Sequence, residues 1–135
     1  MPPPGASDAH LAWSLWQRFR VPFIWVADGP RSLDRFHRDL ASLAGERASE
    51  IAYYPAWEAL PGHGAPPHAD LIGDRFDALQ RLLAYSDSTP TTGIVVTCIQ
   101  ALMQRTVTPA QLRGQADELV PGRELDLDDF IASLE

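Results

Sequence analysis

The chain has 135 residues, of which 45% are apolar and 21% charged, which suits one compact domain and excludes wholesale disorder. Its net charge is −7, and all 11 of its basic residues are arginines. DNA-binding proteins usually present a basic face, so an acidic chain with scattered arginines argues against autonomous DNA binding. No apolar run is long enough to cross a membrane, and the first residues do not form a secretory signal. We therefore expect a cytoplasmic protein without a membrane partner.

The first predicted helix runs from Asp8 to about Phe19, with Asp8 as its N-cap. Its apolar stripe recurs every four residues, at Leu11, Leu15 and Phe19. Trp13 and Trp16 widen this apolar surface and are candidates either for the core or for a patch covered by other domains.

Two strands and a helix follow in the predicted order. Residues 21–27 form a nearly continuous apolar run typical of a buried strand, and residues 28–30 end it with a turn. A second amphipathic helix ends at Gly45, and residues 50–54 form the second strand. The helix has four apolar markers: Leu33, Phe36, Leu40 and Leu43.

Residues 55–68 are rich in proline and glycine and predict a long loop, which is often functional. A third helix then presents one apolar face, formed by Ile72, Phe76, Leu79 and Leu83. Residues 93–97 predict a third buried strand that ends at Cys98, and residues 99–105 a short helix. A single cysteine excludes an internal disulfide, and we expect Cys98 to be a buried apolar residue rather than a nucleophile.

The end of the chain contains a capping box at Thr108 and Gln111, with Pro109 in the first helical position. Residues 117–120 predict a short strand and residues 126–134 a terminal helix. Alternation of helices with apolar strands predicts a three-layer α/β fold, a mostly parallel sheet with helices on both faces. We expect a flexible leader over 1–7 and a single domain over 8–135.

Three segments resemble, in order and spacing, the N-terminal module of bacterial transcription-repair coupling factors. They are Tyr-Pro-Ala-Trp-Glu-Ala-Leu-Pro at 54–61, Pro-His-Ala-Asp-Leu-Ile-Gly-Asp-Arg-Phe at 67–76, and Gly-Ile-Val-Val-Thr-Cys-Ile-Gln-Ala-Leu-Met-Gln-Arg at 93–105. The module is similar to the first domain of excinuclease B, a RecA-like motor domain, in a degenerate form that has lost nucleotide hydrolysis.

The residues agree with a degenerate nucleotide site. A P-loop needs a lysine for the phosphates, and the chain has none. The corresponding position is expected at residues 4–10, which contain one glycine and the anionic Asp8. No acidic pair ends the strand at 93–97, where a magnesium-holding carboxylate is expected. We therefore expect neither enzymatic activity nor a cofactor.

The resemblance implies a non-catalytic scaffold or interaction module that acts in transcription-coupled nucleotide excision repair. Its implied partners are the remaining domains of the coupling factor, with excinuclease A, RNA polymerase and DNA bound through domains that follow this one. The alternative is an independent small α/β nucleotide-binding protein or enzyme, which the missing lysine disfavours.

The predicted interaction or loop-shaping residues lie in the three family-like segments: Trp57, Glu58, His68, Asp70, Arg75, Gln104 and Arg105. Trp57 is expected to pack at the domain edge, and Arg75 and Arg105 to pair with acidic side chains or a partner. His63, His68 and Asp70 are the residue types of a metal site, but they lack an evident fourth ligand, so a solvated loop with Asp70 as helix cap is the favoured interpretation. Asp70, Asp74 and Asp77 share one helix face, which is expected to be solvated.

Overall fold

A computed structural model describes residues 6–57, 69–86 and 93–115. It contains five helices, three strands and a 3₁₀ turn within those ranges. In chain order these are α1 (Ala6–Phe19), β1 (Phe23–Ala27), α2 (Pro30–Ala44), the 3₁₀ turn (Gly45–Glu50), β2 (Ile51–Tyr54), α3 (Ala69–Ser86), β3 (Ile94–Cys98), α4 (Ile99–Met103) and α5 (Pro109–Gln115). Every predicted element within the described ranges is present, with bounds shifted by a few residues.

The three strands form one parallel sheet in the order β1-β3-β2. The middle strand β3 aligns Ile94 with both Phe23 of β1 and Ile51 of β2. All five residues of β3 are buried, which explains its continuous apolar sequence. Since side chains alternate along a strand, Val96 and Cys98 share one face of the sheet and Val95 and Thr97 the other.

Helices cover both faces of this sheet. On one face, Phe36 of α2 stacks on Trp25 of β1 with ring centroids 4.4 Å apart. On the other face, Leu79 and Leu82 of α3 lie beside Val95 of β3. The α1 helix packs on α2 rather than on the middle of the sheet. The predicted three-layer α/β fold is therefore confirmed.

Two helix ends follow from local sequence signals. Gly45 ends α2 with a φ of 57°, a left-handed conformation in which a side chain would be strained. At the start of α5, the Gln111 amide nitrogen donates to Thr108 Oγ1 over 3.3 Å, and the Thr108 amide donates to Gln111 Oε1 over 2.9 Å. These reciprocal bonds are the predicted capping box.

The predicted apolar stripe of α1 was wrong. Leu11 is 53% exposed and Phe19 60% exposed, whereas Trp13 and Trp16 are buried in the core. The helix instead buries its small and aromatic residues, which are Ala9, Ala12, Trp13 and Trp16. Asp8 lies inside the first turn and is not the N-cap, because the helix begins at Ala6.

The face of α3 also differs from the predicted one. Its fully buried residues are Arg75 and Ala78, whereas Ile72 is exposed. Asp70 follows the first residue of the helix, so it is an acidic residue of the first turn rather than the predicted cap. A carboxylate in this position favours the helix through the macrodipole.

Several predictions lie outside the described residues: most of the leader, most of the 55–68 loop, the strand at 117–120 and the helix at 126–134. The last two residues of the predicted leader, 6 and 7, belong to α1. The extent of the single domain therefore stays a prediction. Within the described ranges, no helix combines the length and the apolar character that crossing a bilayer requires.

Candidate functional site

An arginine lies buried at the carboxyl ends of two strands. Arg75 of α3 is only 2% exposed, although arginine is among the residues least often buried. It faces Tyr54, the last residue of β2, then Pro55 and Trp57 in the segment that follows, and Gln104, which follows α4. We call these five residues the Arg75 cluster.

Neutral oxygens accept the guanidinium hydrogens. Arg75 Nη1 donates to the Pro55 carbonyl over 2.7 Å and to Gln104 Oε1 over 3.2 Å. Arg75 Nη2 donates to the Tyr54 hydroxyl over 2.5 Å. These contacts join α3 to the end of β2 across about twenty residues of sequence.

Two aromatic rings complete the environment of the cation. The Arg75 guanidinium carbon lies 4.2 Å from the centre of the Tyr54 ring and 4.4 Å from that of the half-buried Trp57. At these distances the electron-rich faces of the rings attract the positive charge, more strongly in a desolvated site than in water. Trp57 therefore contacts Arg75 with its ring while its backbone is held separately.

Gln104 holds the backbone of Trp57. Its Oε1 accepts the Trp57 amide hydrogen over 2.7 Å, and its Nε2 donates to the Trp57 carbonyl over 3.2 Å. One amide side chain thus satisfies both backbone groups of a residue that belongs to no strand. Together, Arg75 and Gln104 fix the path of residues 55–57, the entry to the long loop.

Arg75 makes no ion pair with a carboxylate in the ranges that the structure describes. Burial lowers the pKa of Arg75, and the Tyr54 hydroxyl opposes that change. An arginine starts from so high a pKa that it stays charged at neutral pH. The cluster therefore contains a permanent, desolvated positive charge, and its arrangement favours holding a loop over transferring a proton.

The predicted site residues divide into three groups. The structure brings Trp57, Arg75 and Gln104 into one cluster. Asp70 and Arg105 are exposed and take no part in it. Glu58 and His68 lie outside the described residues. Whether any of these residues contacts a partner stays a prediction.

The metal-site interpretation concerns residues that the structure covers only in part. Among the described residues, no group of three histidine, cysteine or acidic side chains is arranged to hold an ion. His63 and His68 lie outside those ranges, so the interpretation of the loop as a solvated segment stays a prediction.

The expected nucleotide position at residues 4–10 is described only in part. Residues 6–10 form the beginning of α1, so this position leads into a helix, as a P-loop does. A strand-to-helix connection that is described in full is Asp28–Gly29, between β1 and α2. It has two residues and an exposed carboxylate, and Pro30 begins the helix without a backbone N–H.

Sequence reasoning missed a cluster at the opposite end of the sheet, which we call the Glu50 cluster. Glu50 Oε1 accepts from Arg47 Nε over 2.8 Å, and Glu50 Oε2 accepts from Trp16 Nε1 over 2.6 Å. Arg20 lies 3.6 Å from the same carboxylate. Arg47 donates the bond that contributes most to lowering the pKa of Glu50. The spacing of Arg47 and Glu50 by three residues was the available signal.

A polar groove beside β2 was also missed. The His37 ring of α2 stacks on Tyr53 with centroids 4.5 Å apart, and the Tyr53 hydroxyl donates to Asp34. Asp74 of α3 lines the opposite side. Burial lowers the pKa of His37, opposed by the two carboxylates, and burial raises the pKa of Asp74, opposed by His37.

No protein-family model matches the chain. The transcription-repair-coupling factor of Escherichia coli is 27% identical over 124 residues, which cover 92% of this chain. That of Haemophilus influenzae is 30% identical over 132 residues, which cover 98% of the chain. The chain spans only 10% and 11% of the lengths of these relatives. The predicted resemblance is therefore confirmed, and the chain is homologous to transcription-repair coupling factors over a segment about one tenth of their length.

Proposed function

We propose that this chain is a non-catalytic scaffold and interaction module of a transcription-repair coupling factor, acting in transcription-coupled nucleotide excision repair. Its similarity to coupling factors supports a role related to DNA repair. The module supports recruitment of the excinuclease to a stalled RNA polymerase, and the contacts to excinuclease A, RNA polymerase and DNA are made by other domains of the protein.

The observation that carries the non-catalytic part is that the sequence contains no lysine. A P-loop wraps the phosphates with the backbone amides of a glycine-rich loop and adds a lysine. The described connection between β1 and α2, Asp28–Gly29, is also too short to make that cradle. Asp28 adds a negative charge at the helix N-terminus, where a phosphate would otherwise be attracted.

The Arg75 cluster supports the scaffold part. It uses a buried charge to hold residues 55–57, which is the contribution expected of a module that presents a loop or supports a neighbouring domain. The guanidinium hydrogens that a substrate anion would need are donated to Pro55, Tyr54 and Gln104.

Two measurements test the proposal. In a steady-state assay with Mg-ATP, we expect no turnover that follows the protein through purification, and turnover that does so would overturn the non-catalytic assignment. Isothermal titration with excinuclease A would compare this chain with a version extended to the length of its curated relatives. We expect binding by the extended version only. Equal affinity of both versions would place the recognition surface within these residues and contradict the scaffold assignment.

A further inference from the structure

The outer face of α2 carries a row of arginines. Arg31, Arg35 and Arg38 are separated by four and three residues, so they lie on one side of the helix, and all three are exposed. The residues that α2 buries are on the opposite side: Leu33, Phe36, Leu40 and Ala44. The arginines that look scattered in the sequence are therefore aligned in the fold. We call them the α2 arginine row.

The arginines of this row have no ion-pair partner among the described residues. Arg20 and Arg47, by contrast, pair with Glu50, and Arg81 pairs with Asp77. The members of the α2 row make no ion pair and no side-chain hydrogen bond with a described residue, although Arg38 lines the groove that Asp34 and Asp74 also line. Three neighbouring cations that pair with no described carboxylate thus form a local positive strip on a protein of net charge −7.

We propose that the α2 arginine row is a docking site for an acidic helical segment of a protein partner. The row is about 10 Å long, since seven residues separate its ends at about 1.5 Å per residue. Carboxylates at the same spacing on one face of a partner helix would meet all three guanidinium groups. Arginine suits this pairing because its planar fork binds a carboxylate through two parallel hydrogen bonds.

The surroundings of the row favour an acidic protein segment over nucleic acid. Asp34 and Asp39 lie on the same helix, one on each side of the row, which limits the positive surface to the width of one helix. A duplex would bring phosphates across these carboxylates and near a chain of net charge −7. Affinity for DNA grows with the number of phosphates neutralised, and three arginines neutralise few.

The inference is independent of the proposed function, because it concerns a face of α2 that the Arg75 cluster does not use. Its experiment uses the whole chain and a fluorescent, alanine-based helical peptide with glutamates spaced four and three residues apart. A second peptide replaces the glutamates with glutamines. Anisotropy titrations at low ionic strength measure both affinities.

We expect the chain to bind the glutamate peptide and not the glutamine peptide, with an affinity that falls as salt is added. The double variant Arg31→Gln with Arg35→Gln should bind several-fold more weakly, since each exposed pair contributes modestly. The matched control, Arg18→Gln with Arg105→Gln, removes two exposed charges elsewhere and should bind like the wild type. All the replaced side chains are exposed, so the urea midpoints should not change.

Three results would overturn the proposal. The first is equal binding of the glutamate peptide by the wild type and the α2 variant. The second is tighter binding of a labelled DNA duplex than of the peptide, lost in the α2 variant, which would assign the row to nucleic acid. The third is self-association in sedimentation velocity that the α2 variant abolishes, which would make a second copy of the chain the occupant.

Discussion

The two ends of the sheet hold charged groups in opposite ways. At the carboxyl ends of β2 and β3, the Arg75 cluster contains a buried cation surrounded by neutral oxygens and aromatic rings. At the amino ends, the Glu50 cluster contains a partly exposed carboxylate that binds two arginines and an indole N–H. One end buries a charge without a described counter-ion, and the other pairs its charge near water.

The difference shows where polar contacts stabilise this fold most. An exposed ion pair exchanges hydration for a contact of similar strength, so its net contribution is small. A buried guanidinium has lost its hydration, and each acceptor around it would be unsatisfied without it. We therefore expect the free energy of unfolding to depend strongly on Arg75 and weakly on Glu50.

The largest effect is expected for Arg75→Ala. This change opens a cavity and leaves the Pro55 carbonyl and the Tyr54 hydroxyl without their donor, which should lower the free energy of unfolding by about 3–5 kcal/mol. Urea denaturation followed by circular dichroism measures the loss.

Arg105→Ala is the matched control, because Arg105 is exposed and makes no ion pair or side-chain hydrogen bond with a described residue. Its midpoint should equal that of the wild type. Equal stability of Arg75→Ala and the wild type would show that the buried cluster contributes no net stability and would remove the contrast between the two ends.

Gly93→Ala should have the next largest effect, at the amino end. A Cβ atom at Gly93 would overlap the Trp16 ring, so the buried indole would have to move away from Glu50. Overpacking of this kind lowers the free energy of unfolding by about 1–3 kcal/mol.

The control is Gly73→Ala, since a Cβ atom there meets nothing within 4 Å. Alanine favours a helix interior, so this variant should be more stable by about 0.5–1 kcal/mol in the same urea experiment. If Gly93→Ala were as stable as the wild type, the close approach of Trp16 would have no energetic role.

The sequence predicted the elements of the fold better than it predicted their faces. Apolar runs and capping residues are local signals, so the strands, the end of α2 at Gly45 and the capping box at Thr108 were predicted correctly. The buried side of α1 was wrong because a spacing of four residues in Leu11, Leu15 and Phe19 imitates a core stripe. Only tertiary contacts, such as that between Trp16 and Gly93, decide which side faces inward.

The site was predicted in part. The family-like segments contained Trp57, Arg75 and Gln104, but nothing local indicates that an arginine will meet a carbonyl twenty residues earlier in the chain. One signal was available: Arg75 lies four residues after Leu71 and four before Leu79, within an apolar face of α3.

The variant Gln104→Ala separates two contributions of the Arg75 cluster: the contacts that Arg75 makes with Pro55 and Tyr54, and the hydrogen bonds that hold the Trp57 backbone. It removes both hydrogen bonds to the Trp57 backbone but leaves the Arg75 contacts with Pro55 and Tyr54. We expect a loss of about 1–2 kcal/mol and faster hydrogen exchange at the Trp57 amide. Exchange measured by NMR should leave the amides of β3 protected. Unchanged exchange at Trp57 would mean that Gln104 does not hold the start of the loop.

The smallest effect is expected for Glu50→Gln, and its pH dependence tests the amino end directly. In the folded chain the hydrogen bond from Arg47 lowers the pKa of Glu50 below its ordinary value of 4.5. A carboxylate whose pKa is lower in the folded state stabilises the fold above its unfolded pKa, and the contribution is lost as the pH falls through the folded pKa. At neutral pH, Glu50→Gln should therefore be less stable than the wild type by no more than about 1 kcal/mol, because the side chain is partly exposed. This difference should shrink as the pH falls below about 4.5, since the wild-type carboxyl then becomes neutral as well.

Glu46→Gln, an exposed change in the same 3₁₀ turn, should follow the wild type at every pH. A Glu50→Gln deficit that stays constant between neutral and acidic pH would show that the Glu50 cluster acts through the shape of the side chain rather than through its charge, and the contrast with Arg75 would then rest on burial alone.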